Sequence, residues 1–502
     1  MPISFLYANQ IKQKFYMQRK KGRRNPMSKK EKRKLKINFI GKNAYDVTGS
    51  SVLVETDNHN ILIEYGLHQG NSVSKEYKIN IQKPKGLSIK KIDYIFINHL
   101  HTDHVGNIPF LYKHGCEARI IAPKGSKAIL EALLKDSAHI MFKDSELLTK
   151  QLNRNIEPIY SEVDVNNTLK HLIEYNTEEK IRLSDDIEFC YQPSGHIINS
   201  YSLELWITQS NITKKIVYTS DLGNISVPQF YTNEFKPIEQ ANIVIGEATY
   251  AKKEKKITKK DRIKDTEKIK SVINQFCGDL KGKVLFPTFS LHRTQTMITV
   301  LYDIFKNDQN FKTKIIIASP LANTLCDIFM NELKGEQRQQ FEEVMNWKNV
   351  VQVREFQDLE YYLNSDEPMI FLASAGFCQA GYSKAICASL LPHSKNCIVV
   401  CGYAMPDTLI WKIKNGTNKY LSIDGIAYKN KCSCVCLKSF SSHMNHDDLL
   451  KYYSDFQAEK ICIVHSEMDE KIKFCKELQD AISKKNRSSR VICVNKETSI
   501  NL

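Results

Sequence analysis

Hydrophobic residues in the first half of the chain fall into short runs separated by polar turns, which is the pattern of strands joined by loops. Early runs lie at 37–40, 51–55 and 61–65, and the polar segment 56–60 between the last two is typical of a hairpin. Strand-like and helical stretches then continue to about residue 245. This part of the chain is therefore predicted to form most of one core of strands and helices.

The pattern changes between about residues 249 and 416, where short apolar runs alternate with longer stretches of helical character. The runs are Lys283–Phe286, Lys314–Ala318, Met369–Ala373 and Asn396–Cys401, and the helical stretches include Arg293–Phe305 and Ala380–Leu391. Such alternation predicts a parallel α/β sheet. We expect this segment to be an insertion into the core.

The strand-like run Asp93–Asn98 leads directly into a loop rich in metal-binding side chains, His99-Leu100-His101-Thr102-Asp103-His104. Alternation after a strand points His99 and His101 the same way, and the Asp103-His104 pair lies about one turn further on. Neutral imidazoles and a carboxylate suit zinc, and such a cluster is costly without a cation. The loop therefore predicts a metal site.

Other apolar runs end in residues that can close this site. His196 follows the run Ile187–Gln192, Asp221 follows a run ending at Tyr218, and His465 directly follows Val464. Open α/β sheets gather their sites where strands end. We therefore expect His196, Asp221 and His465 to join the early histidine cluster.

Together these motifs resemble the β-CASP branch of the metallo-β-lactamase-fold nucleases, from about residue 37 to the C-terminus. The branch includes RNA-processing members such as the pre-mRNA 3′-end endonuclease and ribonuclease J. The matching elements are H-x-H-x-D-H at 99–104, Gly195-His196, Ser220-Asp221-Leu222-Gly223, Glu247 in 245–250, His443 in 440–443, His465 in 464–467, and the cap elements 286–295, 318–322 and 374–377.

The resemblance implies an α/β fold in which a metallo-β-lactamase αββα sandwich carries an inserted β-CASP parallel α/β domain. Residues 1–36 would be a basic, flexible N-terminal arm and residues 37–248 the first part of the core. Residues 249–416 would be the β-CASP insert, and residues 417–502 would complete the core.

The resemblance also implies two Zn²⁺ ions per chain. His99, His101, His196 and Asp221 would hold one ion, and Asp103, His104, Asp221 and His465 would hold the other, with Asp221 bridging. Asp103 would orient or deprotonate the attacking water, and His443, held by Glu247, would give a proton to the leaving group. Glu64 stands where the family has aspartate, and we expect it to orient ligating histidines.

A histidine at the His465 position resembles the RNA-cleaving members, whereas DNA-repair members usually carry an apolar residue there. The resulting hypothesis is a two-metal ribonuclease that leaves 5′-phosphate and 3′-hydroxyl ends. Endonucleolytic and 5′-exonucleolytic cleavage both stay open. The alternatives are a DNA nuclease, another metallo-hydrolase of this fold, or a noncatalytic scaffold subunit of an RNA-processing complex.

The sequence departs from the family pattern at two further places, neither of which is an expected metal ligand. Asn445 replaces the acid usually found two residues after the histidine of its motif, and Ala251-Lys252-Lys253 stands where the family has Asp-Arg.

Substrate contacts are expected in the insert. The turn from Ser374 to Gly376 follows a strand, and its backbone N–H groups can approach a phosphate, although a simple tight turn is the alternative. Arg293, in the cap element 286–295, is a further expected substrate contact. The basic run Lys252–Lys264 is either a solvated helix face or an RNA contact in the cleft.

The formal net charge of +16 is concentrated at one end, because residues 1–36 contribute +12 and the remaining 466 residues only +4. This arm predicts salt-sensitive contact with RNA phosphates, with a solvated tail or a localisation signal as alternatives. No apolar run is long enough to span a bilayer, and the N-terminus lacks a secretory signal. We expect a cytoplasmic protein, nuclear if the host is eukaryotic, with RNA and other RNA-processing subunits as partners and no membrane.

The fourteen cysteines are scattered along the chain, which favours free thiols over disulfides. Cys432, Cys434 and Cys436 share one face of a predicted strand, where packing is favoured over a separate metal site.

Overall fold

The computed structural model describes residues 35–502 apart from residues 71, 85, 255, 403, 405, 406 and 417. Nearly all of the basic arm lies outside the described residues. Its contact with RNA therefore stays a prediction.

The strands of the described chain form four sheets. They are β1 (Lys36–Phe39), β2 (Val52–Glu55), β3 (Asn60–Ile63), β4 (Tyr94–Phe96), β5 (Arg119–Pro123), β6 (Leu172–Tyr175), β7 (Ile181–Arg182), β8 (Ile187–Pro193), β9 (Tyr201–Gln209), β10 (Ile212–Tyr218), β11 (Gln240–Glu247), β12 (Lys283–Pro287), β13 (Lys314–Ala318), β14 (Val350–Val353), β15 (Met369–Ala373), β16 (Cys397–Cys401), β17 (Tyr420–Ile423), β18 (Ile426–Lys429), β19 (Ser433–Leu437), β20 (Gln457–Val464), β21 (Arg490–Cys493) and β22 (Ser499–Asn501).

The α-helices of the described chain lie mostly between the later strands. They are α1 (Val73–Asn80), α2 (Thr102–Val105), α3 (Ile108–Lys113), α4 (Ser126–Leu152), α5 (Glu162–Leu169), α6 (Lys259–Ile273), α7 (Arg293–Phe305), α8 (Pro320–Glu332), α9 (Gly335–Met345), α10 (Phe356–Asn364), α11 (Gly381–Leu390), α12 (Leu409–Asn415), α13 (His446–Asp455) and α14 (Met468–Lys484). Among the described residues, every helix is too short or too polar to cross a bilayer.

Two seven-stranded sheets form the sandwich. Their strand orders are β22-β1-β2-β3-β4-β5-β6 and β21-β20-β11-β10-β9-β8-β7. Apolar residues from both sheets, such as Ile63 and Phe96 from the first and Leu205 and Ile245 from the second, share one buried cluster. Burial of this cluster holds the two sheets face to face, because burial of apolar surface is the main favourable term in folding.

Helices cover the outer faces of the sandwich. Leu134 on α4 belongs to the same buried cluster as Leu62 and Ile95 of the first sheet, and Phe474 on α14 belongs to the same cluster as Val244 of the second. The arrangement is therefore the αββα sandwich of the metallo-β-lactamase fold, as the family resemblance implied.

The insert contains an all-parallel six-stranded sheet of order β14-β13-β15-β12-β16-β19. The predicted strands Lys314–Ala318 and Met369–Ala373 and the predicted helix Arg293–Phe305 occur with these bounds. Strand β19 pairs with β16 and lies beyond residue 416. We therefore propose that the insert extends to Leu437, past the predicted boundary.

The cysteines of the β19 region behave as packing groups. The thiols of Cys432, Cys434 and Cys436 are partly buried against the apolar cluster on one side of the third sheet. Among the described residues, the groups of possible metal ligands include no cysteine. The contacts of the three thiols with the apolar cluster support the packing interpretation.

Candidate functional site

The early histidine cluster lies where β4 ends. His101 precedes the short helix α2, so Asp103 and His104 lie within the first turn of a helix rather than in an extended loop. His99 and His104 are almost fully buried, with relative exposures of 1% each. The loop therefore holds these two imidazoles inside the molecule, where they need partners.

Four side chains form the first possible ligand group, and their ligand atoms all lie within 4.8 Å of one another. They are His99, His101, His196 and Asp221. Asp221 Oδ2 lies 3.4 Å from His99 Nε2 and 3.5 Å from His196 Nε2. His196 Nε2 also lies 3.4 Å from His101 Nδ1. Two imidazole nitrogens that face each other need a proton or a cation between them.

Three side chains form the second group, namely Asp103, His104 and His465. Asp103 Oδ2 lies 3.5 Å from His104 Nε2 and 3.4 Å from His465 Nε2. Asp221 also reaches this group, because its Oδ1 lies 3.5 Å from His104 Nε2 and 3.8 Å from His465 Nδ1. One carboxylate therefore lies between the two groups and touches both.

Glu64 supports both groups from behind. Its fully buried carboxylate accepts a hydrogen bond from His104 Nδ1 at 2.5 Å and another from Ser220 Oγ at 2.8 Å. His99 Nδ1 in turn lies 2.9 Å from Ser220 Oγ and donates to it. The carboxylate thus fixes both imidazoles so that their Nε2 atoms face the cluster.

Burial and neighbouring charge shift the pKa values of these side chains. Burial and then His99 lower the pKa of His101 to about 3, and burial lowers the pKa of His196 well below its usual value. Burial also opposes the charge of His104, but Glu64 and the two aspartates raise its pKa well above its usual value. Burial opposes the charge of Glu64 as well, yet His104 holds the pKa of this carboxyl at about 2.

The donor set fits a divalent cation. His99 Nε2 and Asp221 Oδ1 are buried and have no hydrogen-bond partner among the described residues. Such orphaned polar atoms are costly, and a metal ion at each of the two groups would supply the missing partners. Imidazole nitrogens and carboxylate oxygens are ligands that suit zinc.

His443 lies beside this site with its ring 4.4 Å from the ring of His196. Its Nδ1 is 3.7 Å from Glu247 Oε1, close enough for an ion pair but beyond hydrogen-bond distance. Glu247 instead accepts from the backbone N–H groups of Leu222 at 3.1 Å and Thr249 at 2.6 Å. The side chain of His443 is 21% exposed, so a substrate can reach it.

The predicted substrate contacts lie on loops at the ends of parallel strands. Ser374 Oγ accepts a hydrogen bond from Ser290 Oγ at 2.7 Å, which brings the ends of β15 and β12 together. A Cβ atom on Gly376 would lie 3.3 Å from the ring of Phe289, so that ring covers the glycine. Arg293 Nη1 donates to the carbonyl of Cys401 at 3.1 Å.

His292 joins the insert to the metal site and was missed by the sequence analysis. It is 3% exposed, and its Nδ1 accepts from the backbone N–H of Ile198 at 3.2 Å, two residues after His196. Its φ of 71° lies in the left-handed region, which non-glycine residues rarely adopt. The contact joins segments far apart in the chain, so no local pattern could have indicated it.

The departures from the family pattern have structural partners. Asn445 precedes α13 and its amide lies 3.3 Å from both Asn224 and Asp448. In the basic run, Lys256 forms an ion pair with Asp448 at 2.6 Å. Lys253 pairs with Glu477 at 3.3 Å. These two lysines therefore join the start of the insert to the completing segment of the core.

Three segments of the chain match family models. Residues 44–161 match the model described as the metallo-beta-lactamase superfamily, and residues 294–413 match the model of the Beta-Casp domain. Residues 430–488 match the model described as a Zn-dependent metallo-hydrolase RNA specificity domain.

Relatives match along most of the chain. Integrator complex subunit 11 of Danio rerio is 24% identical over 462 residues, which cover 90% of this chain and 72% of that protein. Ribonuclease TTHA0252 of Thermus thermophilus is 24% identical over 431 residues, covering 84% and 91% respectively. Endoribonuclease YSH1 of Saccharomyces cerevisiae is 22% identical over 395 residues, covering 76% of this chain and 48% of that protein.

Proposed function

The chain belongs to the β-CASP branch of the metallo-β-lactamase superfamily, and we propose that it is a ribonuclease that hydrolyses RNA with two zinc ions. One observation carries the proposal: seven imidazole and carboxylate side chains from four separate segments converge in two adjoining groups. Relatives named as a ribonuclease and an endoribonuclease support RNA as the substrate and internal cleavage as the mode.

The first ion would be held by His99, His101, His196 and Asp221, and the second by Asp103, His104, His465 and Asp221. When bound, zinc supplies an activated water molecule at neutral pH and stabilises negative charge on the phosphate. Every one of these side chains is oriented toward one of the two groups. A noncatalytic scaffold has no need to keep all of them, which favours catalysis.

Asp221 sets the spacing of the site, because its two oxygens face different groups. Asp103 is 18% exposed and is the most accessible carboxylate of the cluster. It can therefore orient the attacking water and accept its proton. Glu64, fully buried behind the histidines, orients them and does not reach the substrate.

His443 is placed to give a proton to the departing oxygen. It lies beside His196 at the edge of the metal site, and Glu247 lies behind it. Glu247 is held by two backbone N–H groups, so a small shift of His443 toward it completes a carboxylate–imidazole pair. Attack by water on the other side of the phosphorus leaves a 5′-phosphate on one product and a 3′-hydroxyl on the other.

The insert supplies contacts for the RNA backbone. Ser374 and Gly376 lie at the end of β15, where backbone N–H groups can meet a phosphate. Arg293 begins helix α7 and directly follows His292. His292 is hydrogen-bonded to Ile198, two residues after the expected ligand His196. The cap residues are thus tied directly to the site they serve.

The direct test compares RNA and DNA oligonucleotides of the same sequence with the zinc-loaded full chain. We expect internal cleavage of the RNA, little cleavage of the DNA, and about two zinc ions per chain. His101→Ala should abolish cleavage, whereas His139→Ala, which changes an exposed histidine on α4, should not. Equal cleavage of DNA, or full RNA cleavage by His101→Ala, would contradict the proposal.

A further inference from the structure

Two arginines of the insert meet at one corner of the third sheet. Arg293 donates to the carbonyl of Cys401, the last residue of β16. Arg262 on α6 donates through Nε and Nη2 to the carbonyl of Ser439 at 3.2 and 2.7 Å. Cys401 pairs with Leu437 in the parallel register, so Ser439 lies only two residues beyond that pair. Both guanidinium groups are therefore anchored at neighbouring strand ends.

Within the described part of the chain, neither guanidinium forms a direct ion pair with a carboxylate. Among the described residues, no acid lies within ion-pair distance of Arg262 or Arg293. The nearby Asp265 is already engaged, because its Oδ2 accepts from the N–H groups of Lys438 and Ser439 at 2.9 and 2.8 Å. One carboxylate therefore faces two partly buried guanidinium groups, so the corner keeps a positive charge that a bound anion can neutralise.

Electrostatics supports the closeness of the two charges. Burial and then the charge of Arg293 lower the pKa of Arg262 to about 10. Burial also lowers the pKa of Arg293. The ring of Phe440 lies 4.2 Å from Arg262 Cζ and holds that guanidinium in place. The corner is therefore positively charged and preorganised, while both arginines stay partly exposed.

This corner lies next to the proposed proton donor. The ring of Tyr250 is 5.9 Å from that of His443, and its hydroxyl donates to Ser441 Oγ at 2.5 Å. Burial raises the pKa of Tyr250, and the positive charge of Arg293 opposes this shift. The segment 439–443 thus links the corner to the proposed proton donor, because Arg262 holds Ser439, Tyr250 holds Ser441, and His443 follows two residues later.

We propose that Arg262 and Arg293 together bind a backbone phosphate of the RNA on the 5′ side of the scissile bond. The proposal rests on the proposed function, since His443 would protonate the departing 3′ oxygen and that oxygen belongs to the upstream nucleotide. The next phosphate beyond His443 is then an upstream one. Planar guanidinium groups match phosphate oxygens through paired N–H donors, and Arg293 uses only Nη1 in its bond to the protein.

The test replaces single phosphates of a cleavable RNA by neutral methylphosphonate linkages, one position at a time, and measures kcat and KM of the zinc-loaded full chain. One upstream position should raise KM about tenfold with little change in kcat, because that phosphate is not part of the reacting bond. This measurement needs no altered protein, so it stands even if a variant folds poorly.

Arg262→Gln and Arg293→Gln should each raise KM for unmodified RNA about tenfold. In each variant, the neutral linkage at that one upstream position should cause no further rise in KM. The matched control is Arg354→Gln, since Arg354 follows β14 at the opposite edge of the sheet and pairs with Asp327 at 2.7 Å. This control should behave as the wild type at every linkage.

The proposal is overturned if the wild type is indifferent to every upstream neutral linkage, or if both arginine variants stay as sensitive as the wild type. In either case normal cleavage of unmodified RNA would leave the proposed function intact. Failure of the wild type to cleave unmodified RNA at all is a separate result, and it would overturn both.

Discussion

The metal centre and the arginine corner of the insert are built differently. At the metal centre four imidazoles are buried, those of His99, His104, His196 and His465, and His101 is partly buried. His99 and His104 are held from behind by a shared carboxylate network. At the arginine corner the charged groups are partly exposed, and they are anchored to carbonyl oxygens and, for Arg262, to the ring of Phe440. The first arrangement fixes geometry, as chemistry requires. The second arrangement places positive charge at a position without fixing an exact geometry, and this suffices to bind the flexible phosphate backbone of RNA.

The comparison predicts that the largest effect comes from the one side chain shared by both metal groups. Asp221→Ala removes contacts to His99 and His104 at once, so both ions should be lost. RNA cleavage should fall by about 10⁴-fold or more, the scale seen when one member of a cooperating catalytic set is removed. Zinc analysis and cleavage rates check this, and retention of two zinc ions would count against it.

The next largest effect is expected at the proton donor. His443→Ala should lower kcat by about 10²- to 10⁴-fold without changing zinc content, because general acid catalysis contributes on that scale. An RNA with sulfur in place of the departing 3′ oxygen needs less proton donation, since thiols are far more acidic than alcohols. The deficit should shrink on that substrate. An equal deficit on both substrates would argue against the role of His443.

A smaller effect is expected behind the ligands. The Glu64 carboxylate accepts hydrogen bonds from His104, Ser220 and Tyr218, the last at 2.7 Å. A glutamine at this position would replace one accepting oxygen by an NH₂ group, which would face hydrogen-bond donors and could not accept from them. Glu64→Gln should weaken zinc binding or activity about 10- to 100-fold. Glu64→Asp, which restores the family residue, should be milder. If glutamine is harmless, the carboxylate does not orient the ligands.

The junction between the two regions should show a pH effect. Burial and then Arg293 lower the pKa of His292 to about 3, from an unfolded value near 6.5. The neutral ring therefore contributes stability that is complete above pH 6.5 and is lost as the pH falls toward 3. Between pH 7 and 5 the loss is about 2 kcal/mol.

His292→Asn is the matched variant for this effect. Asparagine tolerates the left-handed backbone and can accept from Ile198, but it does not titrate. Thermal unfolding of both proteins at pH 7 and 5 should show a larger acid-induced loss in the wild type. Equal losses of stability in the wild type and the variant would mean that His292 is already protonated at pH 5 in the folded protein.

The sequence indicated which side chains would lie together, because each expected metal ligand follows a strand and strand ends meet in this fold. His99, His196, Asp221 and His465 lie together in the structure. The parallel sheet of the insert was predicted for a similar reason, since its strands alternate regularly with helices.

What the sequence did not predict depends on pairing between distant segments. Arg262 is one charge within a basic run, and only the fold brings it to Ser439. His292 bonds to Ile198 across almost a hundred residues. Strand β19 joins the sheet of the insert because pairing with β16 satisfies its backbone hydrogen-bonding groups. No local sequence pattern reveals this pairing.

The most direct test of the account is diffraction from zinc-loaded crystals at the zinc absorption edge. The account predicts two anomalous peaks on either side of Asp221, one among His99, His101 and His196 and the other among Asp103, His104 and His465. A single peak, or peaks away from these side chains, would contradict it.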